Sequence, residues 1–304
     1  MNHKAILFFI GIYSLFITFF SFLNILYSIY FNFVLDLNSY LITLIISLII
    51  GSLFFFIGKR YSKNISINDQ IIFIVLSFLY LPLLISIPYY LSSYNISFLN
   101  SYFESVSGFT TTGFSIIENI KEIDEPLLMW RSSSQWLGGL FFLVAIIGTI
   151  GSKQVRIKPA YLVSSSNIKG NFYNNFNYNF IKILLIYFIS TIFVIFLYNL
   201  FNIRLLDSFN LALTTISSGG FIPSNNLSNI TSSDWQTLIL SITLLIPILN
   251  FYLLFKIFSQ QFNFRDFQED FHLIAIISVL TLSFYFFIIP EEGIVEVFFA
   301  IITS

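Results

Sequence analysis

Uninterrupted apolar runs are the feature that most restricts what this chain can fold into. Several exceed the roughly 18 to 20 residues that a helix needs to cross about 30 Å of hydrocarbon. Lipid cannot hydrogen-bond a backbone, so segments that cross it must be helices or strands of a closed barrel, and runs of this length call for helices. The balance of the 304 residues agrees: 57% are hydrophobic and 10% charged, with a mean hydropathy of +0.86. The first run, Ala5 to Phe31, follows His3 and Lys4 much as a secretory signal would. It is too long for a signal's apolar region, and no small-x-small cleavage site follows, so it reads as a retained helix. Crossings are expected near residues 5–33, 39–58, 69–91, 126–150, 179–201, 235–258 and 269–289, an all-α integral membrane protein with about seven spans.

What the chain lacks narrows its chemistry. A formal net charge of -1 offers no basic surface for nucleic acid. Without cysteine there is neither a disulfide framework nor a thiolate metal site. His272 has no second histidine or carboxylate pair at ligand spacing. Neither H-E-x-x-H nor G-x-S-x-G occurs, nor a glycine loop that would cradle phosphate, so an enzyme is not expected. The 40 phenylalanines fit a genome biased toward A and T codons and carry no argument.

Positive flanks stay cytoplasmic. With the N-terminus inside, Lys4, Lys59, Arg60, Lys63, Lys153, Arg156, Lys158, Lys169, Lys182, Lys256 and Arg265 all fall on the cytoplasmic side, leaving Lys121, Arg131 and Arg204 outside. The same choice puts Glu118, Glu122, Asp124, Glu125, Asp207, Asp234, Glu291 and Glu292 on the outer face, where negative charge would concentrate cations or simply solubilise the loops.

Two semi-polar segments, 95–125 and 202–232, are too long for tight connections and too apolar at their start for solvated loops. Shifted by 107 residues, Ser101–Phe114 aligns without a gap on Ser208–Phe221. Each copy has a half-helix too short to span, then a hydroxyl-rich stretch, a glycine and a phenylalanine, with a full crossing on either side. That order describes a re-entrant pore loop, because non-helical backbone at membrane depth survives only where it lines water or is buried in protein. Carbonyls of Thr110, Thr111, Thr112, Gly113 and Phe114, and of Ser217, Ser218, Gly219, Gly220 and Phe221, are the candidate ion ligands. The glycines supply the positive φ such a turn needs, and the half-helices would aim their negative ends at a cation. Taken singly, Thr-Thr-Thr-Gly is a common turn and Gly219-Gly220 a helix-packing pair; their shared register carries the reading.

With these residues in view, the sequence resembles the Trk/Ktr/HKT superfamily of potassium transporters, and within it the bacterial pore-forming subunit. The resemblance rests on Phe103–Gly113, on Trp130-Arg131 followed by Gln135-Trp136-Leu137-Gly138-Gly139, and on Ser218–Phe221. It implies four repeats around a pseudo-fourfold axis with one filter glycine each, Gly113 and Gly220 being the first two. It also implies a homodimer of separate pores in the bacterial inner membrane and a cytoplasmic nucleotide-binding regulatory ring (TrkA/KtrA-like). Potassium is then the transported ion and no bound cofactor is implied. Glycine at the first filter position goes with potassium, whereas serine there goes with sodium permeation in the plant branch.

The chain accordingly divides into two N-terminal helices (1–68), pore repeat 1 (69–152), a cytoplasmic linker (153–178), pore repeat 2 (179–260) and an incomplete repeat 3 (261–304), whose half-helix is expected from Glu291. The filter glycine of that repeat would lie beyond Ser304. The chain therefore reads as a fragment of a longer subunit, the alternative being two chains that complement one another. Candidate supports for the filter are Glu104, Arg131, Gln135, Trp136, Gly138 and Gly139. Arg131 would brace the first loop through its carbonyls or Glu104, or else snorkel to the interface. Trp136 would alternatively sit in an aromatic belt. The competing functions are a sodium-permeable relative, a non-conducting membrane subunit, and a secondary transporter of another solute. The last would call for inverted repeats, whereas these two share one orientation.

Overall fold

The computed structural model describes residues 2–62, 66–150, 172–248, 268–287 and 293–303. Among them are ten α-helices: α1 His3–Tyr30, α2 Leu37–Gly58, α3 Ile67–Leu91, α4 Phe98–Phe109, α5 Glu125–Ile150, α6 Phe172–Leu200, α7 Leu205–Ser217, α8 Asp234–Ile248, α9 Gln268–Phe287 and α10 Ile294–Thr303. The protein is an all-helical, multi-pass membrane protein. Helices α1, α2, α3, α5, α6, α8 and α9 occupy the seven expected crossings. Among the described residues, four segments are both long and apolar enough to span by themselves: α1, α2, Asn68–Leu91 of α3 and Ile183–Leu200 of α6. The other three helices, α4, α7 and α10, have 12, 13 and 10 residues, which at 1.5 Å per residue falls well short of a crossing.

Helices α1 and α2 form a hairpin in which small residues let the backbones meet. A Cβ on Gly11 would lie 2.7 Å from the Phe55 nitrogen and 2.9 Å from the Gly51 carbonyl. Between apolar helices in lipid, such close approach supplies the packing that water-driven burial supplies elsewhere.

Two prolines interrupt α3, Pro82 and Pro88. Each removes an N–H from the helical ladder and loosens the turn before it. The carbonyls that lose a partner are those of Phe78 and Leu84, four residues before each proline, and in each turn the next carbonyl along accepts a side-chain donor. Leu79, three residues before Pro82, accepts from the Tyr102 hydroxyl of α4 at 3.1 Å. Ile85, three before Pro88, accepts from the Trp130 indole of α5 at 2.9 Å.

The half-helices follow one pattern. Helix α7 packs on α6 and on α5 of the preceding repeat, and α10 packs on α9 and on α8 of the preceding repeat. Each new repeat thus leans on the inner helix of the one before. Beneath α4, an aromatic cluster joins α1, α3, α4 and α5. Phe141 packs against Tyr13, Phe78, Phe109 and Phe73, with ring centroids 4.9, 5.1, 5.2 and 5.6 Å away.

Two boundaries differ from the hydropathy reading. Helix α6 starts at Phe172, inside the stretch read as linker, because hydropathy marks where lipid begins and helical hydrogen bonding continues beyond that level. Helix α1 ends at Tyr30, where Asn32 takes a φ of 60°. The rest of the linker, Lys63, Lys153, Arg156, Lys158, Lys169, Lys256, Arg265, Glu291, Glu292 and the inner end of the sixth crossing lie outside the described residues.

Candidate functional site: two re-entrant loops clamped by one helix

The 107-residue register of the sequence reappears in the backbone. Helix α4 begins at Phe98 and α7 at Leu205. Past the end of α4, the N–H groups of Thr111 and Thr112 donate to Gly108 and Ser107, both at 3.0 Å. Past the end of α7, Ser218 and Gly219 donate to Thr215 and Thr214 at 3.1 and 2.8 Å. This is a left-handed helix stop satisfying otherwise orphaned carbonyls. Thr111 and Ser218 take φ of 55° and 54°, and Gly113 and Gly220 take 81° and 79°. The left-handed region is costly for a β-branched residue, on the order of 1–3 kcal/mol, so the Thr111 backbone is held by its surroundings.

The two glycines face each other. A Cβ added to Gly113 would lie 2.5 Å from the Gly219 carbonyl oxygen and 3.3 Å from the Gly220 Cα. One added to Gly220 would lie 3.7 Å from the Gly113 Cα. Three of the hydroxyls nearby bond locally. Thr110 Oγ1 bonds the Val106 carbonyl at 2.7 Å and Thr112 Oγ1 at 2.8 Å, while the Ser217 hydroxyl donates to Leu213 at 2.9 Å. Thr110, Thr112, Phe114, Ser218 and Gly220 are exposed. The Phe114 side chain is among the exposed groups, 71% accessible.

Behind the loops runs α5, on which two clamps sit four residues apart and so on one face. The upper clamp is ionic. Arg131 Nε lies 3.0 Å from Glu104 Oε1, both side chains fully buried, and its Nη2 donates to the Ser115 hydroxyl at 3.0 Å. Glu104 also accepts from the Ser115 hydroxyl at 2.9 Å and the Ile116 N–H at 3.0 Å, so the strand leaving the first loop is tied to α4. The guanidinium carbon lies over the Phe221 ring, 4.3 Å from its centre, and Phe221 belongs to the second loop. The Arg131 side chain is therefore buried in an ion pair with Glu104.

The lower clamp is neutral and belongs to the second loop alone. Gln135 Oε1 accepts from the Phe221 N–H at 3.1 Å and from the Thr214 hydroxyl, while its Nε2 donates to the Gly219 carbonyl. That carbonyl is thus turned toward α5. Gly138 and Gly139 allow the contact: a Cβ at Gly138 would run into the Phe109 carbonyl, and one at Gly139 would lie 2.9 Å from the Ser217 Cβ. Trp136 is buried, its indole donating to Thr191 at 2.9 Å and its ring 4.8 Å from Tyr187 and 5.4 Å from Phe20. Its contacts place it inside the protein between α1 and α6.

Several participants carried no sequence signal. Ser132 donates to Asn210 on α7, and Asn225 accepts from the Ile120 N–H at 2.7 Å while donating to Asn119 at 3.0 Å, linking the strands that leave the two loops. The outer acids are partly consumed. Glu125 pairs with Arg204 and accepts from the Tyr27 hydroxyl at 2.6 Å. Asp124 is pushed up to about 6 by burial and then by the Asp36 carboxylate.

Comparison with known proteins agrees with this architecture. The chain spans less than two thirds of the length of each relative described here. An uncharacterized cation transporter of Methanocaldococcus jannaschii is 31% identical over 151 residues, 45% of this chain and 31% of that one. The Trk system potassium uptake protein TrkH of Vibrio parahaemolyticus is 28% identical over 109 residues, 36% of this chain and 22% of that one. The crystal structure of the potassium transporter TrkH from Vibrio parahaemolyticus superposes with a TM-score of 0.80 at 20% identity, covering 99% of this chain and 63% of that one, which establishes the shared fold. The family model described as TrkH, cation transport protein, matches residues 36–302, nearly the whole of the sequence, and the chain belongs to that family.

Proposed function

We propose that this chain supplies pore repeats through which potassium crosses the membrane inward, down its electrochemical gradient. The observation that carries the reading is the pair of loops with matched left-handed turns, Gly113 facing Gly220 at the ends of two half-helices that are too short to span. A potassium ion that sheds water needs oxygen dipoles in its place. Backbone carbonyls of residues 110–114 and 217–221 are the groups offered, and Gly219, already engaged by Gln135, contributes least. The C-terminal ends of α4 and α7 add negative potential beside the loops. Selection of potassium over sodium follows from holding those carbonyls at a spacing the smaller ion cannot span, or from their number and field. A cytoplasmic N-terminus, assembly as a homodimer and a cytoplasmic nucleotide-binding ring belong to the same proposal, supported by membership of the family and by the names its members carry.

The test is uptake of rubidium, a potassium surrogate, into vesicles containing the native protein. Uptake that potassium suppresses and equal sodium does not supports the reading. Vesicles that take up no more rubidium than protein-free controls would sink it.

A further inference from the structure

Both loops are held from a single helix, and the hold crosses between repeats. Arg131 bonds Glu104 and Ser115 of the first repeat while its guanidinium carbon sits over the Phe221 ring of the second. Four residues on, Gln135 fixes the backbone of Gly219 and Phe221. Phe221 is thus gripped twice, by its ring and by its N–H, and it follows Gly220, which faces Gly113.

We propose that Arg131 is a specificity-positioning residue, a strut that sets the spacing between the two loops and through it the discrimination among monovalent cations. The inference rests on the transport reading above. Its chemistry needs a guanidinium. The forked N–H groups reach Glu104 and Ser115 together while the guanidinium carbon sits over an aromatic ring; an ammonium can do the first in part and the second less well. Gln135 performs the matching task without charge. Since both sit one turn apart on α5, any tilt of that helix moves both loops as one body.

Removing Arg131 outright would leave Glu104 buried and unpaired, and the variant could fail to fold for that reason alone. The informative variants keep the charge or the packing. In Arg131→Lys the ion pair survives and the guanidinium over the ring is lost; in Phe221→Leu the ion pair is untouched and the aromatic face is lost. Each would be placed in the native protein, reconstituted at matched amounts of folded protein, and measured for the ratio of rubidium to sodium flux and for half-saturation by rubidium. The strut predicts that both variants lose discrimination by about fivefold, the scale of a 1 kcal/mol change, with a shifted half-saturation. A strut that only stabilises the fold would lower the amount of folded protein and leave both quantities unchanged per molecule, and that outcome overturns the proposal while leaving the transport reading intact. Absence of rubidium flux in the unaltered protein overturns both.

Discussion

The first loop is secured by a buried ion pair and the second by a neutral amide, yet their backbones follow the same path. At the position 107 residues after Glu104 stands Leu211, 1% exposed, and no acid replaces the lost one. The shared path comes from local backbone chemistry: a helix stop, a left-handed residue and a glycine. The difference lies in how side chains from α5 reach the outside of each turn. Turn geometry and its anchoring are therefore separable, and each can be attacked alone.

Breaking the ionic anchor should have the largest effect. Glu104→Ala strands Arg131 in a buried position with its main acceptor gone, and a loss of about 3–5 kcal/mol is expected, read as a fall in thermal unfolding temperature of the detergent-solubilised protein. Converting the second loop to the first is nearly as harmful. Leu211→Glu buries an acid with no arginine placed for it, so folded yield should drop sharply; normal yield would mean that α7 has an unrecognised cationic neighbour.

The turns themselves are tested by a pair of alanines. At φ of 81° and 79°, each substitution costs about 1–2 kcal/mol for an L-residue in the left-handed region. Gly113→Ala also drives its methyl to 2.5 Å from the Gly219 oxygen, whereas the Gly220 methyl meets ordinary contact at 3.7 Å. Gly113→Ala should therefore be the more damaging in rubidium uptake. Gly113→Ser carries the same overlap and should also weaken discrimination against sodium. Equal uptake by the two alanine variants would show that the loops do not meet as described.

The smallest effect concerns the outer edge. Because Asp124 titrates at about 6 against an ordinary 3.8, the folded state favours its protonated form. The resulting stability is present in full below the ordinary value and is lost as pH rises through about 6. Asp124→Asn should match the parent protein at pH 3.5 and unfold at a higher temperature above pH 6.5. A difference independent of pH would mean that Asp124 does not titrate in this range.

Much of this was readable in the sequence, for definable reasons. Crossings, half-helices and the 107-residue register are written in local composition, which lipid enforces strictly. The Arg131 and Glu104 pairing was also accessible, since a buried acid on a half-helix and an arginine at the head of the next helix have few other partners. Gln135 is different. It lies 84 residues from Gly219, and its reach into the second loop depends on how α5 leans against α7, which no local pattern encodes. Trp136 stayed open between filter support and an interfacial aromatic because composition does not say which way a helix face turns. The start of α6 was missed because asparagine-rich helix is still helix.

The two interrupted turns of α3 bear on how such a chain is made. A half-helix emerging into a bilayer cannot anchor itself by length. The Tyr102 contact to Leu79 spans 23 residues, so the first foothold for α4 is complete before α5 has been synthesised, and the Trp130 contact to Ile85 then fastens α5 to the same helix. Proline, usually a liability in a spanning helix, here lies three residues beyond each docking carbonyl, and the docking points come in the order in which later segments arrive. In that view α3 is a template for insertion, and Pro82→Leu should slow maturation of newly made chains into protease-resistant form more than it alters the finished protein. Equal maturation rates would confine the prolines to helix shape.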